Sequence, residues 1–561
     1  MSTDTEVIQI DGAPGAGKTY TLRQRLEAEA EDGLNLCDFY WLNFTNSGRE
    51  DVEPEIAEVF ASDDVSRTDA EDRAKTFHGL ALSLAIRDGA IDPDHFDKQI
   101  IQQGGAYAGE FDPFADFCRR QGMSYDAAAA DPKKLLSGVK DTAHTGNLLF
   151  AVSDYLASTC KPPEKWRSAP VDMPLGGDRV VRLLEAWGEY KRDPPIPEYN
   201  FRLFEHSDYI RYAADAALTP TVDVLFIDEF QDLAPLEYRL YKLWRDAGGL
   251  DRIYIAGDAN QSIYSFRGAT PYYFEATDTD DVVDLKDSRR CPSRIASVGR
   301  AVLAAHDSTD PRGFAGFEDG GMVRWQSFNS KQDLRRAAID ATDAYQSSPS
   351  VMMLTRTNRQ LGELIGDLKD VGIPFEVLGS RRGIWRGDMA DLLEVLNGMA
   401  SGGTYYHFDS VKTVFKHLPE EMPSLPPRIG GIVDAGDVND LFERYSTPSE
   451  IISRLQIPAW KRDVLQNAVE APAAMNPSEI QVGTVHTAKG LEAPAVYLFT
   501  TSSESMLTRY DRDNSLAAEE HRVYYVAATR ASEELHLVDD YFEGPTAPPL
   551  EKIRHSPGVS V

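Results

Sequence analysis

The segment Gly12-Ala13-Pro14-Gly15-Ala16-Gly17-Lys18-Thr19 constrains this chain more than any other. Val7-Ile8-Gln9-Ile10 precedes it and reads as a short strand, while Tyr20 to Glu31 comes after it and reads as a helix. The pattern is G-x-x-x-x-G-K-[ST] between a strand and a helix. Its glycines allow successive backbone N–H groups to turn inward as an anion nest. The helix N-terminus adds partial positive charge. Lys18 is placed to reach the β and γ phosphates of a nucleoside triphosphate, and Thr19 to ligate Mg²⁺.

A phosphate cradle needs carboxylates, and two further segments supply them. Val222-Asp223-Val224-Leu225-Phe226-Ile227 reads mostly as a buried strand and runs directly into Asp228-Glu229-Phe230-Gln231-Asp232. In an open parallel sheet, ligand chemistry gathers at the carboxyl ends of strands. Asp228 is therefore placed to hold Mg²⁺ and Glu229 to orient and deprotonate an attacking water. A DE pair alone is a weak signal; beside the phosphate loop it is a strong one. The third segment begins as the strand Arg252-Ile253-Tyr254-Ile255-Ala256 and continues into a polar turn from Gly257 to Ala269. There Gln261 could sense the γ-phosphate. Tyr264 and Phe266 have a period-two spacing that also suits core residues of a short strand.

Composition narrows the setting. The chain has 561 residues, 42% of them apolar, enough for three or four domains. No run approaches the roughly 18 apolar residues of a membrane helix. The first residues are polar and acidic, so the expectation is a cytoplasmic protein with no membrane contact. Four scattered cysteines with no CxxC pair argue against a disulfide framework, a zinc site or an iron–sulfur cluster. The 58 basic residues are outnumbered by 90 acidic ones, a net charge of −32. Such a surface repels nucleic acid at ordinary ionic strength. The acids are spread along the chain, so adaptation to a salty cytoplasm, a halophilic source, is preferred over an acidic binding tract.

Taken in order, these and later segments resemble the UvrD/Rep/PcrA group of superfamily 1 helicases. Leu42-Asn43-Phe44-Thr45-Asn46 resembles motif Ia and Thr76-Phe77-His78-Gly79-Leu80-Ala81 motif Ib. Asp228 to Asp232 is similar to motif II, and Gly257 to Ala269, with Gln261-Ser262-Ile263-Tyr264, to motif III. Leu285-Lys286-Asp287-Ser288-Arg289-Arg290 resembles motif IV, and Leu354-Thr355-Arg356-Thr357-Asn358 the block after it. Thr484-Val485-His486-Thr487-Ala488-Lys489-Gly490-Leu491-Glu492 resembles motif V. Glu519-Glu520-His521-Arg522 with Tyr525 to Ala531 resembles motif VI.

The resemblance implies an α/β fold of two RecA-like P-loop NTPase domains, each a parallel sheet flanked by helices and carrying an inserted, largely helical subdomain. ATP would lie between the two domains. The implied boundaries are 1–85 and 204–284 for domain 1A, 86–203 for 1B, 285–385 and 478–545 for 2A, 386–477 for a reduced 2B, and 546–561 for a tail. The implied catalytic set is Lys18, Asp228, Glu229, Gln261, Arg290 and Arg530, with the two arginines acting as fingers on transition-state charge. The nucleotide would be held by Gly12, Ala13, Pro14, Gly15, Ala16, Gly17, Lys18 and Thr19. Arg289 would stack on the base where the family has tyrosine, Glu492 would contact the sugar, and Gly490 would complete the nucleotide-binding set. Mg²⁺ would take Thr19 and Asp228. Phe44, Tyr264 and Phe266 would stack bases, with Thr45, Thr76, His78, Arg267, Arg356, Asn358 and His486 completing the strand contacts.

The activity implied is 3′-to-5′ translocation on single-stranded DNA and unwinding at single-strand/duplex junctions, driven by Mg-ATP. The alternative is a DNA-sensing ATPase subunit with little unwinding of its own, working with a protein partner such as a nuclease or a repair or replication factor. The short stretch assigned to 2B, with its Pro-rich segment from Leu418 to Pro427, motivates that alternative. Met1 to Gln9 shows no match to the family's adenine-reading glutamine motif, so the base end of the nucleotide is less specified than the phosphate end. About thirty residues lie beyond motif VI, too few for a fused nuclease domain. Phosphate contacts weaken steeply with salt through counterion release, whereas base stacking is worth about 1–3 kcal/mol per base. In molar KCl, Tyr264→Ala is expected to cost more single-strand affinity than any single Lys or Arg replacement. Fluorescence anisotropy with a labelled oligonucleotide reads this ranking, and the reverse order would refute it.

Overall fold

The computed structural model describes residues 5–61, 67–103, 111–129, 135–136, 144–195, 201–311, 313–317, 319–345, 349–379, 384–419, 431–442, 445, 447–470 and 477–555. The Pro-rich residues 420–427 and the end of the tail lie outside them. The chain divides into two compact units, Met1–Leu285 and Lys286–Val561.

The first unit is built on six strands: β1 (Glu6–Gly12), β2 (Phe39–Asn43), β3 (Ala74–Thr76), β4 (Val224–Ile227), β5 (Arg252–Gly257) and β6 (Asp281–Leu285). They form one sheet in the order β3-β2-β4-β5-β1-β6, and every pairing is parallel. The apolar runs read from the sequence are what a parallel sheet covered on both faces requires. β4 shows the reason residue by residue. Leu225 and Ile227 face one core, with helices Phe77–Arg87, His206–Asp215 and Pro235–Asp246 packed over it. Val224 and Phe226 face the other, under helices Lys18–Glu31 and Asn46–Val59. Alternate side chains of one strand thus build two separate cores. Among the described residues the outer strand β6 pairs only with β1, and it is largely open to solvent, with Val282 53% exposed between Asp281 and Asp284.

Helix Pro235–Asp246 illustrates how local sequence fixes an element. Proline at its first position is pre-set for a helix start. The Glu237 carboxylate accepts from the Ala234 N–H at 2.8 Å and so closes the first turn. Leu236, Leu240 and Trp244 recur at fourfold spacing and bury one stripe.

Between β3 and β4 the chain adds a helical body with its own core. Phe114, Phe117, Phe150, Trp187 and Tyr190 form its aromatic centre. Where this body returns to the sheet, Lys191 is buried and its ammonium lies 2.5 Å from both Glu205 and Asp208. The Trp187 indole donates to Glu205 at 2.9 Å, and Asp208 accepts from the Glu205 N–H. Burial alone would discharge Lys191; the two carboxylates outweigh it and raise its pKa.

The second unit has β7 (Met322–Ser327), β8 (Val351–Thr355), β9 (Glu376–Val377), a two-stranded antiparallel ribbon of β10 (Tyr405–His407) and β11 (Ile432–Asp434), then β12 (Ile480–Thr484), β13 (Ala493–Phe499) and β14 (Ala531–Asp539). Its main sheet is again six-stranded and parallel, ordered β7-β14-β13-β8-β12-β9. Both units therefore have the parallel, helix-flanked architecture of a RecA-like domain. A separate core runs from Trp385 to Ala468, mostly helical, with the ribbon packed on it through Tyr406 and Val433.

Removing Lys191 would strand two buried carboxylates. Lys191→Met is expected to destabilise this junction by about 3–5 kcal/mol, seen as faster hydrogen exchange in helices Gly177–Arg192 and His206–Asp215. Unchanged exchange there would show that the cluster contributes no stability.

Candidate nucleotide site and strand surface

In the first unit, β1 ends at Gly12 and delivers the loop. Gly15 and Gly17 have positive φ, 70° and 88°, the left-handed conformations glycine tolerates best. Gly12 is needed for a different reason. A Cβ there would lie 2.7 Å from Lys18 Cγ, so the absent side chain makes room for Lys18 to fold back over the loop. The Lys18 ammonium donates to the Gly12 carbonyl at 2.9 Å and is almost fully buried. A buried ammonium folded over a loop with two left-handed glycines suits a receptor for a polyanion.

Parallel pairing sets β4 two strands from β1, with its carboxyl end at the same edge of the sheet. The Thr19 hydroxyl donates to Asp228 Oδ2 at 2.9 Å. Burial, and next the charge of Glu229, push the Asp228 carboxyl up to about 6, with Thr19 and Lys18 acting the other way. A hydroxyl and a buried carboxylate short of positive charge form a hard-oxygen pair that suits Mg²⁺, which commonly takes few protein oxygens and completes its shell with phosphate and water. Glu229 has φ 56°, an uncommon left-handed conformation for a non-glycine residue. Its N–H donates to Asp228 Oδ1 at 2.9 Å.

β5 ends at Gly257 beside β4 and carries the third segment. Gln261 is buried, and its amide donates to Asp258 Oδ2 at 2.9 Å. Beyond it, residues Ser265–Arg267 form a short 3₁₀ turn rather than a strand, so the period-two spacing of Tyr264 and Phe266 does not reflect a strand. Instead the rings meet. Phe44, just past β2, stacks on Tyr264 with centroids 5.4 Å apart, and Tyr264 meets Phe266 edge-on at 5.9 Å. The Arg267 guanidinium sits over Phe44 at 4.8 Å. All four side chains are half-buried. They make one aromatic and cationic cluster of the kind that accepts unpaired bases.

Thr45 and Thr76 serve the backbone. Their hydroxyls cap helices Asn46–Val59 and Phe77–Arg87, accepting from the Gly48 N–H at 3.1 Å and the Gly79 N–H at 3.0 Å. His78 lies 3.7 Å from the buried carboxylate of Glu237. Burial raises the Glu237 pKa, and nearby Arg267 partly offsets this.

In the second unit, β8 and β12 are neighbours and end in register at Thr355 and Thr484. Their continuations hold Arg356 and Asn358 on one side and His486, Gly490 and Glu492 on the other. Asn358 is exposed and His486 half-buried. Arg356 differs from the expectation of a strand contact: its guanidinium forms a two-pronged ion pair with Glu520, at 2.8 to 3.1 Å. That fork is committed to holding one part of the unit to another. Arg290 pairs with Glu492, so the expected finger and the expected sugar contact meet each other. Arg289, beside it, is exposed. Arg530 is 1% exposed and donates to the carbonyls of Val526 at 2.9 Å and Leu491 at 3.0 Å. An arginine finger expected at a phosphate is here buried in its own unit.

Sequence reasoning assigned no role to several residues that shape these sites. Ser288 is fully buried and accepts from the N–H groups of Arg290 and Cys291, fixing the turn that presents Arg290. Gln231 bridges two segments. His521 stands in the motif VI block, fully buried. Each lies inside a motif block, but burial and partner identity carry no one-dimensional signature.

Two family descriptions match the chain, "UvrD/REP helicase N-terminal domain" over residues 198–281 and "UvrD-like helicase C-terminal domain" over 450–539. The chain is UvrD/Rep/PcrA-like. It is 27% identical to "ATP-dependent DNA helicase UvrD2" of Mycobacterium tuberculosis, over 55% of this chain and 46% of that protein. It is 22% identical to "ATP-dependent DNA helicase Rep" of Salmonella typhimurium, over 55% and 59%. It is 20% identical to "ATP-dependent DNA helicase PcrA" of Bacillus subtilis, over 96% and 81%. The UvrD-like chain thus spans about half the length of the UvrD2 relative it matches. No helix among its described residues is long and apolar enough to cross a membrane.

His521 gives this UvrD-like chain an acid-sensitive point. Its Nδ1–H donates to the Val302 carbonyl at 2.5 Å, and Nε2 accepts from Tyr510 at 2.9 Å. Burial pushes its pKa down to about 4; the Val302 bond opposes this, and Lys552 and His306 add to the depression. Between that value and the ordinary one near 6.5 the unfolded chain binds the extra proton, so stability rises with pH across the window and is lost as pH falls. The loss is on the order of 3 kcal/mol. His521→Gln is expected to flatten the fall in thermal midpoint between about pH 6.5 and pH 4. An unchanged slope would assign acid sensitivity to other groups.

Proposed function

We propose that the chain is an ATP-dependent DNA translocase and helicase that moves 3′ to 5′ along single-stranded DNA and opens single-strand/duplex junctions. The observation that carries this reading is the Thr19–Asp228 hydrogen bond at 2.9 Å, with buried Lys18 on one side and Glu229 on the other. It unites a phosphate nest, a cation-holding pair and a candidate general base at one sheet edge. The names of the relatives, all ATP-dependent DNA helicases, support the same reading.

In this proposal Gly12 to Thr19 bind the triphosphate and Lys18 takes the β and γ phosphates. Thr19 and Asp228 hold Mg²⁺, which when bound neutralises charge on the phosphate oxygens. Glu229 orients the attacking water and accepts its proton. Gln261 senses the γ-phosphate, and Arg290 and Arg530 supply positive charge to the transition state, released from Glu492 and from the backbone carbonyls that hold them. Glu492, Gly490 and Arg289 are assigned to the sugar and base. Phe44, Tyr264 and Phe266 stack bases, aided by Arg267. Thr45, Thr76, His78, Asn358 and His486 line the strand path, and Arg356 acts on it indirectly by bracing the second unit through Glu520. The direction of travel is taken from the Gln261-Ser262-Ile263-Tyr264 pattern.

The test pairs hydrolysis with unwinding. Glu229→Gln is expected to keep nucleotide binding and lose DNA-stimulated ATPase about 10²–10⁴-fold. The wild-type chain is expected to open duplexes with a 3′ single-stranded tail and leave 5′-tailed ones closed. A Glu229→Gln chain that hydrolyses ATP normally would overturn the mechanism. Opening of only 5′-tailed duplexes would overturn the polarity. DNA-stimulated hydrolysis with no unwinding would favour the subunit reading, in which a nuclease or other partner is required.

A further inference from the structure

Gln231 has no part in the chemistry proposed for the site, yet its side chain is fully buried at the turn just past β4. Its amide makes two hydrogen bonds of opposite sense. Nε2 donates to Glu229 Oε2 at 2.6 Å, and Oε1 accepts from the Asp258 N–H at 3.0 Å. The chemistry of the partners fixes the orientation. A reversed amide would set an oxygen against a carboxylate and an NH₂ against an N–H. The space is fixed too: a Cβ on Gly257 would lie 2.4 Å from Gln231 Oε1.

The contacts continue past Asp258. Its carboxylate accepts from the Asn260 N–H at 2.9 Å through Oδ1 and from the Gln261 amide at 2.9 Å through Oδ2. The same segment runs on to Tyr264, whose ring stacks on Phe44. A single buried side chain therefore joins the carboxylate at the end of β4 to the segment that leaves β5.

We infer that Gln231 is a positioning residue for hydrolysis: it aims the Glu229 carboxylate and ties that aim to the Asp258–Gln261 segment. The inference rests on the assignment of Glu229 to water activation. A free glutamate turns about three side-chain bonds. A short, charge-assisted bond to one oxygen removes much of that freedom and fixes the plane in which the carboxylate lies. Because Gln231 also holds the Asp258 N–H, a shift of that backbone is transmitted to Glu229 through one rigid amide. Strand binding at Tyr264 then has a physical route to the hydrolytic carboxylate.

Two substitutions separate aiming from packing. Gln231→Met keeps the volume and loses both hydrogen bonds. Gln231→Glu, assayed at alkaline pH so that the new carboxyl is ionised, keeps the shape and the acceptor for the Asp258 N–H, but loses the donor to Glu229. Each is made alone and with Glu229→Gln, checked for folding by thermal unfolding, and assayed by steady-state ATP hydrolysis with and without oligo(dT). Both single variants are expected to lower kcat about 10–100-fold with KM unchanged, and to lose most of the stimulation by oligo(dT). With Glu229→Gln already present, Gln231→Met is expected to lower the residual rate no further, as residues acting as a unit do. If Gln231→Glu does not fold, Gln231→Met carries the test. Rescue by Gln231→Glu, a rise in KM with kcat unchanged, or full additivity with Glu229→Gln would each overturn the inference and leave the Glu229 assignment standing. Normal hydrolysis by Glu229→Gln alone would remove that assignment, and this inference with it.

Discussion

The parallel ladder of β1 between β5 and β6 is the constraint on which the first unit depends. Asp11 stands opposite Gly257 and Gly12 opposite Leu285. The phosphate loop therefore starts level with the end of β5, where Asp258 begins the polar turn. β4 continues the ladder on the far side of β5, so Asp228 reaches Thr19 from the same edge. A slip of one residue would reverse every side chain between the two cores, and burial on both faces forbids it. The site is thus a product of strand register as much as of motif residues.

The second unit uses the same architecture for a different purpose. Its parallel sheet brings the ends of β8 and β12 together, and buried charge braces the segments beyond them. Arg356 with Glu520 and Arg530 with two main-chain carbonyls tie separate segments of the unit into one body. Burying a guanidinium is costly unless its donors are engaged. The Arg356 fork thereby serves internal geometry where an isolated motif would assign it to a ligand.

The sequence was informative where chemistry demands a residue type at a spacing. Gly12 to Thr19 could be read because few arrangements of glycine, lysine and threonine stand between a strand and a helix. Asp228 and Glu229 could be read because an apolar run ended on them, and the α/β class came from the same runs. The partner of each residue could not be read. Arg356 lies 164 positions from Glu520 and Arg290 lies 202 positions from Glu492, separations at which local pattern carries no information. The spacing of Tyr264 and Phe266 left two readings open for a related reason: a period of two suits a strand, but Gly268, with φ 92°, closes a 3₁₀ turn instead. Gln231 was visible as a letter in a motif, while its two-sided hydrogen bonding exists only once β4 and β5 are adjacent.

The open side of β6 carries a further consequence. An outer strand offers unpaired N–H and C=O groups to any passing chain. Here Asp281 and Asp284 flank the exposed Val282 on that strand. Two such edges brought together would set carboxylate against carboxylate. The acidity that looked at first like a property of the whole surface thus falls, at this strand, where like charge would oppose one copy's sheet extending another's.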